Sequence, residues 1–415
     1  MRLNERGLLE ALPTEVARAV RAASNLSTRQ GGRLWVVGGA VRDYVADVPL
    51  RDADLATDLD AGELASEAAR RLGGTVSAWP RFGTASIALD VHRVDLATLR
   101  RERYPRPGAL PVVTLGASIE EDLGRRDFTV NAIALELGRP RGVVDPFGGL
   151  DDLRAQRLRV LHERSFRDDA TRLWRGARYA ARLDLRPDAE TARLIDAGGA
   201  WLRSISADRI WAEFERTAAE RRPGRVLALL EDWGVLAATH PTLRHGLEAR
   251  RALGRRRLPL DVACLLAVLL AGEPEREAAA ARLGATTEAR RAVEDASRLL
   301  AASEGALRDT EVLSGLESTG EAGREAARML APESQRRLQR ALRRWERTRA
   351  HLDAPALERL GVARGPALGE WLRRLRAERY LGNVGSAAEV RRLIRRELAA
   401  SRSPRAGAPP RGTTR

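Results

Sequence analysis

Two aspartates placed two residues apart give the sequence its clearest chemical signal. Asp52 and Asp54 belong to the segment Asp-Ala-Asp-Leu, which is typical of a short strand. Because side chains two apart on a strand share a face, we expect both carboxylates on one side, about 7 Å apart. Such a pair can bind two divalent cations and stabilise the attacking and leaving oxygens of a phosphoryl transfer. The alternative interpretation is a pair of solvated loop carboxylates.

A two-glycine turn precedes the aspartates. The apolar residues 36–37 indicate a buried strand that ends at Gly38 and Gly39, and the pattern of residues 40–46 is typical of a helix. Backbone N–H groups at such a turn, and at the start of a helix, can bind phosphate. The spacing between the turn and the aspartate pair therefore predicts a nucleotidyl-transfer site.

Asp95 is the candidate for a third catalytic carboxylate. It lies between Val94 and Leu96 in an apolar strand pattern, where a charged side chain requires a partner. A solvent-exposed strand face is the alternative interpretation.

A second polar motif covers residues 121–132. Arg126 is a candidate phosphate contact, and Asp127 and Asn131 are candidates for hydrogen bonds to a ribose hydroxyl. The same residues also fit a helix N-cap and solvated charge, so the motif alone leaves both interpretations open.

A third motif covers residues 166–179, where Asp169 and Arg172 are three apart in a helical pattern. Cytosine and adenine each present an amino donor beside a ring-nitrogen acceptor, whereas uracil and guanine present the reverse. A carboxylate and a guanidinium side by side would therefore select C and A, while Arg175 and Arg178 reach the triphosphate. A surface ion pair is the alternative interpretation.

The composition favours a polyanionic partner. The 415 residues carry a net charge of +15, and every basic residue apart from histidine is arginine. The longest uncharged apolar run, residues 262–271, is about half the length that crosses a bilayer. No signal-peptide pattern begins the chain, so we expect a cytoplasmic protein without a membrane segment. One cysteine, Cys264, excludes an internal disulfide framework.

Hydrophobic periodicity predicts a mixed first part and a helical second part. The predicted elements are a helix over 8–23, strands over 34–37 and 52–56, a helix over 61–72 and a hairpin over 84–97. No later strand is predicted, and residues 154–398 have helical periodicity. The last fifteen residues, 401–415, are rich in Pro, Gly, Ser and Arg, so we expect disorder there.

Together these stretches resemble the class II tRNA nucleotidyltransferase and bacterial poly(A) polymerase family. The resemblance rests on GGAVRD (38–43) with DAD (52–54), RRDFTVNA (125–132), DPFGG (145–149), DDATRLWRGARY (168–179) and SADRIWAEFER (206–216). It implies an α+β fold with a small polymerase-beta-like head and an elongated all-α neck, body and tail. The implied divisions are an N-terminal helix (1–33), the head (34–153), the neck (154–240), the tRNA-binding body and tail (241–400) and the disordered tail (401–415).

The resemblance also implies a function. The expected reaction adds C and A from CTP and ATP to the 3′ end of tRNA with Mg²⁺. Asp52 and Asp54 are the implied metal ligands. The implied nucleotide contacts are Gly39, Arg42, Arg126, Asp169, Arg172, Arg175 and Arg178. Gly38, Asp127 and Asn131, from the motifs described above, complete the set of ten predicted nucleotide contacts.

The sequence departs from the family pattern at three places. Asp168 stands where Glu is usual, Tyr179 stands where Phe is common, and residues 100–116 differ from the acidic loop of many CCA-adding members. CC-only addition, A-only addition, polyadenylation and a non-catalytic RNA-binding role remain alternatives. The oligomeric state is left open.

Overall fold

A computed structural model describes residues 3–138, 142–254, 256–302, 309–331 and 335–402. The chain forms two compact units. The first contains Met1–Val262 and Glu277–Ala285, and the second contains Ala263–Arg276 and Thr286–Arg415. The finer division into head, neck, body and tail stays a prediction. The last helix extends to Arg402, and residues 403–415 of the predicted disordered tail lie outside the described residues.

The strands are concentrated in the first unit. They are β1 (Leu34–Val37), β2 (Ala53–Thr57), β3 (Thr75–Trp79), β4 (Thr84–Leu89), β5 (His92–Thr98), β6 (Arg100–Arg103), β7 (Val112–Leu115), β8 (Ala134–Glu136), β9 (Val143–Val144), β10 (Arg157–Leu158) and β11 (Arg186–Pro187).

Helices fill the remainder of the first unit. They are α1 (Glu5–Ala11), α2 (Thr14–Arg29), α3 (Gly39–Val45), α4 (Ala61–Leu72), α5 (Ile119–Gly124), α6 (Gly149–Arg154), α7 (Ser165–Asp168), α8 (Thr171–Leu183), α9 (Ala189–Gly198), α10 (Ala207–Ala218), α11 (Pro223–Asp232), α12 (Val235–Thr239) and α13 (Leu247–Leu253). Short 3₁₀ segments cover Pro80–Phe82, Thr129–Asn131 and Gly199–Ser204.

The later helices are α14 (Val262–Leu270), α15 (Arg276–Leu283), α16 (Thr287–Ala302), α17 (Asp309–Ser318), α18 (Glu321–Leu330), α19 (Arg336–Arg347), α20 (Ala354–Arg359), α21 (Pro366–Leu381) and α22 (Ala387–Arg402). Most of them belong to the second unit, where α20 to α22 enclose a core that includes Leu357, Leu375 and Ile394. Within the described residues, no helix is long and apolar enough to cross a membrane.

The main sheet has seven strands in the order β3-β4-β5-β2-β1-β8-β9. Only β2 and β5 pair in parallel, and the other neighbours are antiparallel. The predicted strands 34–37 and 52–56, the helix 61–72 and the hairpin 84–97 are all present within a residue or two. The mixed α+β fold class is confirmed.

Different hydrophobic cores pack against the two faces of this sheet. Val36 and Leu55 point into a core shared with α1, α2 and α4. Trp35 and Ala56 point to the opposite face, where a smaller core that includes Leu123 covers them. Because strand residues alternate between faces, the side chain of Asp54 points to the same face as Trp35 and Ala56.

Two details of the sequence-based prediction are wrong. The single helix predicted over 8–23 is two helices, because Pro13 has no N–H to continue the first and begins α2 as its N-cap. Strands also continue after residue 97. The most important of them, β8, pairs with β1 in the main sheet but has only three residues, too few to reveal a period.

Candidate active site

A cleft of about 680 Å³ opens on the sheet face that carries Asp54. All ten predicted nucleotide contacts line it, together with Asp54. The lining contains nine arginines and five carboxylates, so the cleft is positive and suits a polyphosphate. The strand begins one residue later than predicted, so Asp52 lies immediately before β2; its side chain is exposed.

Asp54 lies in an environment suited to a cation. Its carboxylate reaches the cleft and remains accessible, but protein surrounds it closely. This partial desolvation raises the pKa of Asp54, and Asp52 and Asp95 raise it further, while Arg126 and Arg93 oppose them. Mg²⁺ sites in proteins often use one or two carboxylates, with waters and substrate phosphates as further ligands. The Asp52/Asp54 pair therefore fits a divalent cation.

Asp95 stands beside Asp54 in the parallel pairing of β2 and β5. Its carboxylate accepts a hydrogen bond from Ser86 and forms an ion pair with Arg93 at 2.9 Å. In the part of the chain that the structure describes, no three acidic, histidine or cysteine side chains form a metal-binding cluster. Both carboxylate oxygens of Asp95 thus have protein partners, and its role as a third metal ligand stays a prediction.

The two-glycine turn is built as predicted, with one difference. Gly38 has φ +64° and ψ −118°, a conformation open to glycine but strained for other residues. Its N–H donates to the carbonyl of Ile133 at 3.0 Å, so that group is already used within the protein. A Cβ at Gly38 would stand 2.6 Å from a terminal nitrogen of Arg126.

Gly38→Ala is expected to lower the free energy of unfolding by about 1–3 kcal/mol and to raise the KM for CTP, because Arg126 must move. Gly31→Ala is the matched control: Gly31 has φ +74° but nothing within 4 Å of an added Cβ. Thermal melts and initial rates would compare the two variants. An unchanged KM in Gly38→Ala would contradict the placement of Arg126 against the phosphates.

Arg125 and Arg126 are held by one buried carboxylate that the sequence analysis did not single out. Asp122 accepts from Arg125 at 2.9 Å and from Arg126 at 3.2 Å. Burial alone would raise the pKa of Asp122, but the two guanidinium groups lower it below its ordinary value. The capping box formed by Ser118 and Glu121 fixes the start of α5, which carries Asp122.

A hydrogen-bonded chain joins four predicted nucleotide contacts across the cleft. The Asn131 carbonyl oxygen accepts from Arg42, and its amide donates to Asp127 at 2.7 Å. The other carboxylate oxygen of Asp127 accepts from Arg175 at 2.7 Å. Burial would raise the pKa of Asp127, but Arg175, Asn131 and Arg172 outweigh it and hold the group ionised. Both side chains thus orient arginines in this structure, and their contact with a ribose hydroxyl stays a prediction.

The predicted base-reading residues stand together in the cleft, although their local structure differs from the prediction. Asp169 lies in a break between α7 and α8, not on one continuous helix. Its Oδ1 accepts from the Thr171 N–H at 3.0 Å and from the Thr171 hydroxyl at 2.6 Å. The ion partner of Asp169 is Arg209, at 2.7 Å. No described residue donates to Oδ2, which is therefore free to accept from an amino group.

Arg172 is buried and firmly held. Its terminal nitrogens donate to the Ser165 hydroxyl and to the Arg125 carbonyl, both at 2.9 Å. A guanidinium has five N–H groups, so three remain. Its carbon lies 5.9 Å from the ring centre of Tyr104, whose hydroxyl donates to Glu102 at 3.1 Å. Burial, with Glu102 nearby, raises the pKa of Tyr104 to about 12.

Helix α10 contributes further lining residues that the sequence analysis missed. Arg209, Glu213 and Arg216 recur at helical spacing on the face toward the cleft. Glu213 is buried and accepts from Arg178 at 2.7 Å, so it orients another predicted triphosphate contact. The recurrence of charged residues at helical spacing within residues 209–216 was the available sequence signal.

Comparisons with known proteins agree with this architecture. The model of the poly A polymerase head domain matches residues 34–159. A CC-adding tRNA nucleotidyltransferase from Deinococcus radiodurans is 35% identical over 387 residues, covering 91% of this chain and 93% of that protein. A CCA-adding enzyme from Pediococcus pentosaceus is 36% identical over 200 residues, or 46% of this chain and 48% of that enzyme.

A solved structure of a CCA-adding enzyme with ATP is similar in fold, with a TM-score of 0.70 and 23% identity over 96% of this chain and 99% of that one. Fold and cleft together define a nucleotidyltransferase, and the protein is therefore an enzyme. More narrowly, the chain belongs to the class II CCA-adding tRNA nucleotidyltransferase family. Enzymes of this family are generally metal-dependent.

Proposed function

We propose that the protein adds C and A residues from CTP and ATP to the 3′ end of tRNA, with Mg²⁺ and without a nucleic-acid template. The observation that carries this proposal is the gathering of Asp54, the base-reading pair Asp169 and Arg172, and the other predicted nucleotide contacts around one positive cleft. The family relationship supports the same reaction class. We infer that the enzyme acts in the cytoplasm, where its substrates occur.

Different residues are proposed to bind the triphosphate and the metal. Arg42, Arg126, Arg175 and Arg178 contact the triphosphate, and Asp127, Asn131 and Glu213 hold three of these arginines in position. Asp52 and Asp54 would hold Mg²⁺, which would supply positive charge to stabilise the negative charge that develops during the transfer. The 3′-hydroxyl attacks the α-phosphorus and pyrophosphate leaves, with no covalent enzyme intermediate.

Base selection follows from the two fixed side chains. Oδ2 of Asp169 accepts from the amino group of cytosine or adenine, and Arg172 donates to the adjacent ring nitrogen. Uracil presents an N–H where Arg172 donates and a carbonyl where Asp169 accepts. Both contacts are then unfavourable, because a donor meets a donor and an acceptor meets an acceptor.

Exposed arginines in the second unit support RNA as the partner. Arg336, Arg340, Arg343 and Arg347 follow one another at helical spacing on the exposed side of α19. A stripe of this kind binds phosphates without reading sequence. The body and tail helices are therefore proposed to hold the tRNA.

CC-only addition is the second candidate function, and the relative from Deinococcus radiodurans favours it because the similarity extends over 91% of this chain. The test is incorporation of labelled CTP or ATP, with Mg²⁺, into tRNAs that end before CCA, after C or after CC. Full addition predicts extension of all three. If the tRNA that ends after CC does not incorporate ATP, the enzyme adds only CC. If ATP is incorporated into that tRNA and CTP into none, the enzyme adds only A. Long A tails would indicate a poly(A) polymerase. Binding without incorporation would contradict the enzymatic proposal.

A further inference from the structure

The sheet face that carries Asp54 is only half covered. Paired residues of neighbouring strands point to the same side, so one row runs across the sheet from Asp54 to Asp95, Ser86 and Ser77. The core that covers Trp35 and its neighbours lies over β1, β2 and β8. Toward β3 that core does not continue: Ser86 on β4 is buried, but Ala88 on β4 and Ser77 on β3 are exposed.

The edge of this open half carries an exposed tryptophan. Trp79 is 51% exposed and lies two residues from Ser77 on β3, hence on the same face. Thr75 and Arg93 on this face are also exposed. A face with an exposed tryptophan and hydroxyl groups on its edge strand, and an arginine two strands away, has the chemistry of a surface that stacks single-stranded bases and contacts their phosphates.

The line along which the 3′-hydroxyl attacks the α-phosphorus indicates that the RNA occupies the open half of this sheet face. The phosphate-binding residues Gly38 and Arg126 lie on the β1 side of Asp54. Attacking and leaving oxygens are roughly in line across the α-phosphorus, so pyrophosphate leaves toward β1. The 3′-hydroxyl must then approach from the β5 side, past Asp95. The RNA nucleotides that precede it would lie over β4 and β3.

We propose that the open surface of β5, β4 and β3 carries the last nucleotides of the RNA primer, and that Trp79 stacks on one of their bases. This inference rests on the proposed function and deepens it by placing the primer strand. Three strand spacings of ~4.8 Å separate Asp54 from Ser77, roughly 14 Å in all. At ~3.4 Å per stacked nucleotide this spans about four nucleotides, so Trp79 meets a base upstream of the growing end.

The test compares Trp79→Ala with the wild-type enzyme on a tRNA that ends before CCA. The KM for tRNA should rise about tenfold, while the KM for CTP and the kcat at saturating tRNA change less than about twofold, because Trp79 does not line the nucleotide cleft. Trp79→Phe should restore most of the loss. Trp201→Ala, at another partly exposed tryptophan, is the matched control and should leave the KM for tRNA unchanged.

A charge-reversal pair gives an independent measurement. Ser77→Glu should raise the KM for tRNA, more strongly at low salt, whereas Ser77→Arg should leave it unchanged or lower it. Equal kinetics for both Ser77 variants, or a KM in Trp79→Ala within twofold of wild type, would overturn the inference while leaving the proposed function intact. Absence of incorporation by the wild-type enzyme with every nucleotide would instead contradict the proposed function.

Discussion

Asp54→Asn is expected to reduce nucleotide incorporation by at least about 1,000-fold without unfolding the protein. The substitution removes a carboxylate that binds the cation, and stabilisation of transition-state charge by a cation amounts to several kcal/mol. The surroundings raise the pKa of Asp54, so its charged form is disfavoured in the folded protein without metal. The neutral isostere should therefore be at least as stable as wild type in metal-free buffer, which a thermal melt would measure.

The matched control for this variant is Asp90→Asn. Asp90 has φ +51° in the turn between β4 and β5, a conformation that asparagine accepts well. It belongs to the same sheet but does not line the cleft, so incorporation should stay near the wild-type rate. Retention of more than about a tenth of the wild-type rate by Asp54→Asn would contradict the assignment of this carboxylate to metal binding.

Arg172→Ala is expected to relax base selection more than it weakens triphosphate binding. Discrimination between CTP and UTP, measured as the ratio of kcat/KM values, should fall about 10- to 100-fold. The variant also leaves the Ser165 hydroxyl and the Arg125 carbonyl without their donor, a loss of about 1–3 kcal/mol of stability. Assays should therefore be run well below the measured Tm of the variant.

Arg216→Ala is the matched control, because it removes a positive charge from the cleft without removing a residue predicted to contact the base. Arg216 lines the same cleft but is about half exposed and pairs with Glu213. Its loss should change kcat/KM for CTP and UTP by the same factor. An Arg172→Ala enzyme that still rejects UTP as wild type does would remove this residue from base reading.

Much of the catalytic unit was accessible from sequence because its signals are local. The strand before Gly38 and the hairpin over 84–97 each show a clear hydrophobic pattern with turn residues at their ends, and both are present. The ten predicted nucleotide contacts also gather around one cleft with Asp54. Their individual roles in binding stay predictions.

Other features depend on tertiary contacts that no local pattern contains. The break at Asp169 exists because that side chain accepts from Thr171 and pairs with Arg209, which lies 40 residues later. Glu213 is buried where it accepts from Arg178, which lies 35 residues earlier. Asp122 is buried where it accepts from the backbone N–H of Arg100, 22 residues earlier, as well as from the neighbouring Arg125 and Arg126. Such carboxylates look like solvated charge in a sequence, and only the fold reveals that they orient the cleft.

The most direct test of the central claim is a crystal structure of the protein with a non-hydrolysable CTP analogue and Mn²⁺, whose anomalous scattering locates the metal. We expect anomalous peaks at the carboxylates of Asp52 and Asp54. We also expect the cytosine amino group to lie within hydrogen-bond distance of Asp169 and the ring nitrogen within that distance of Arg172. Manganese bound elsewhere, or a base turned away from these two side chains, would contradict that claim.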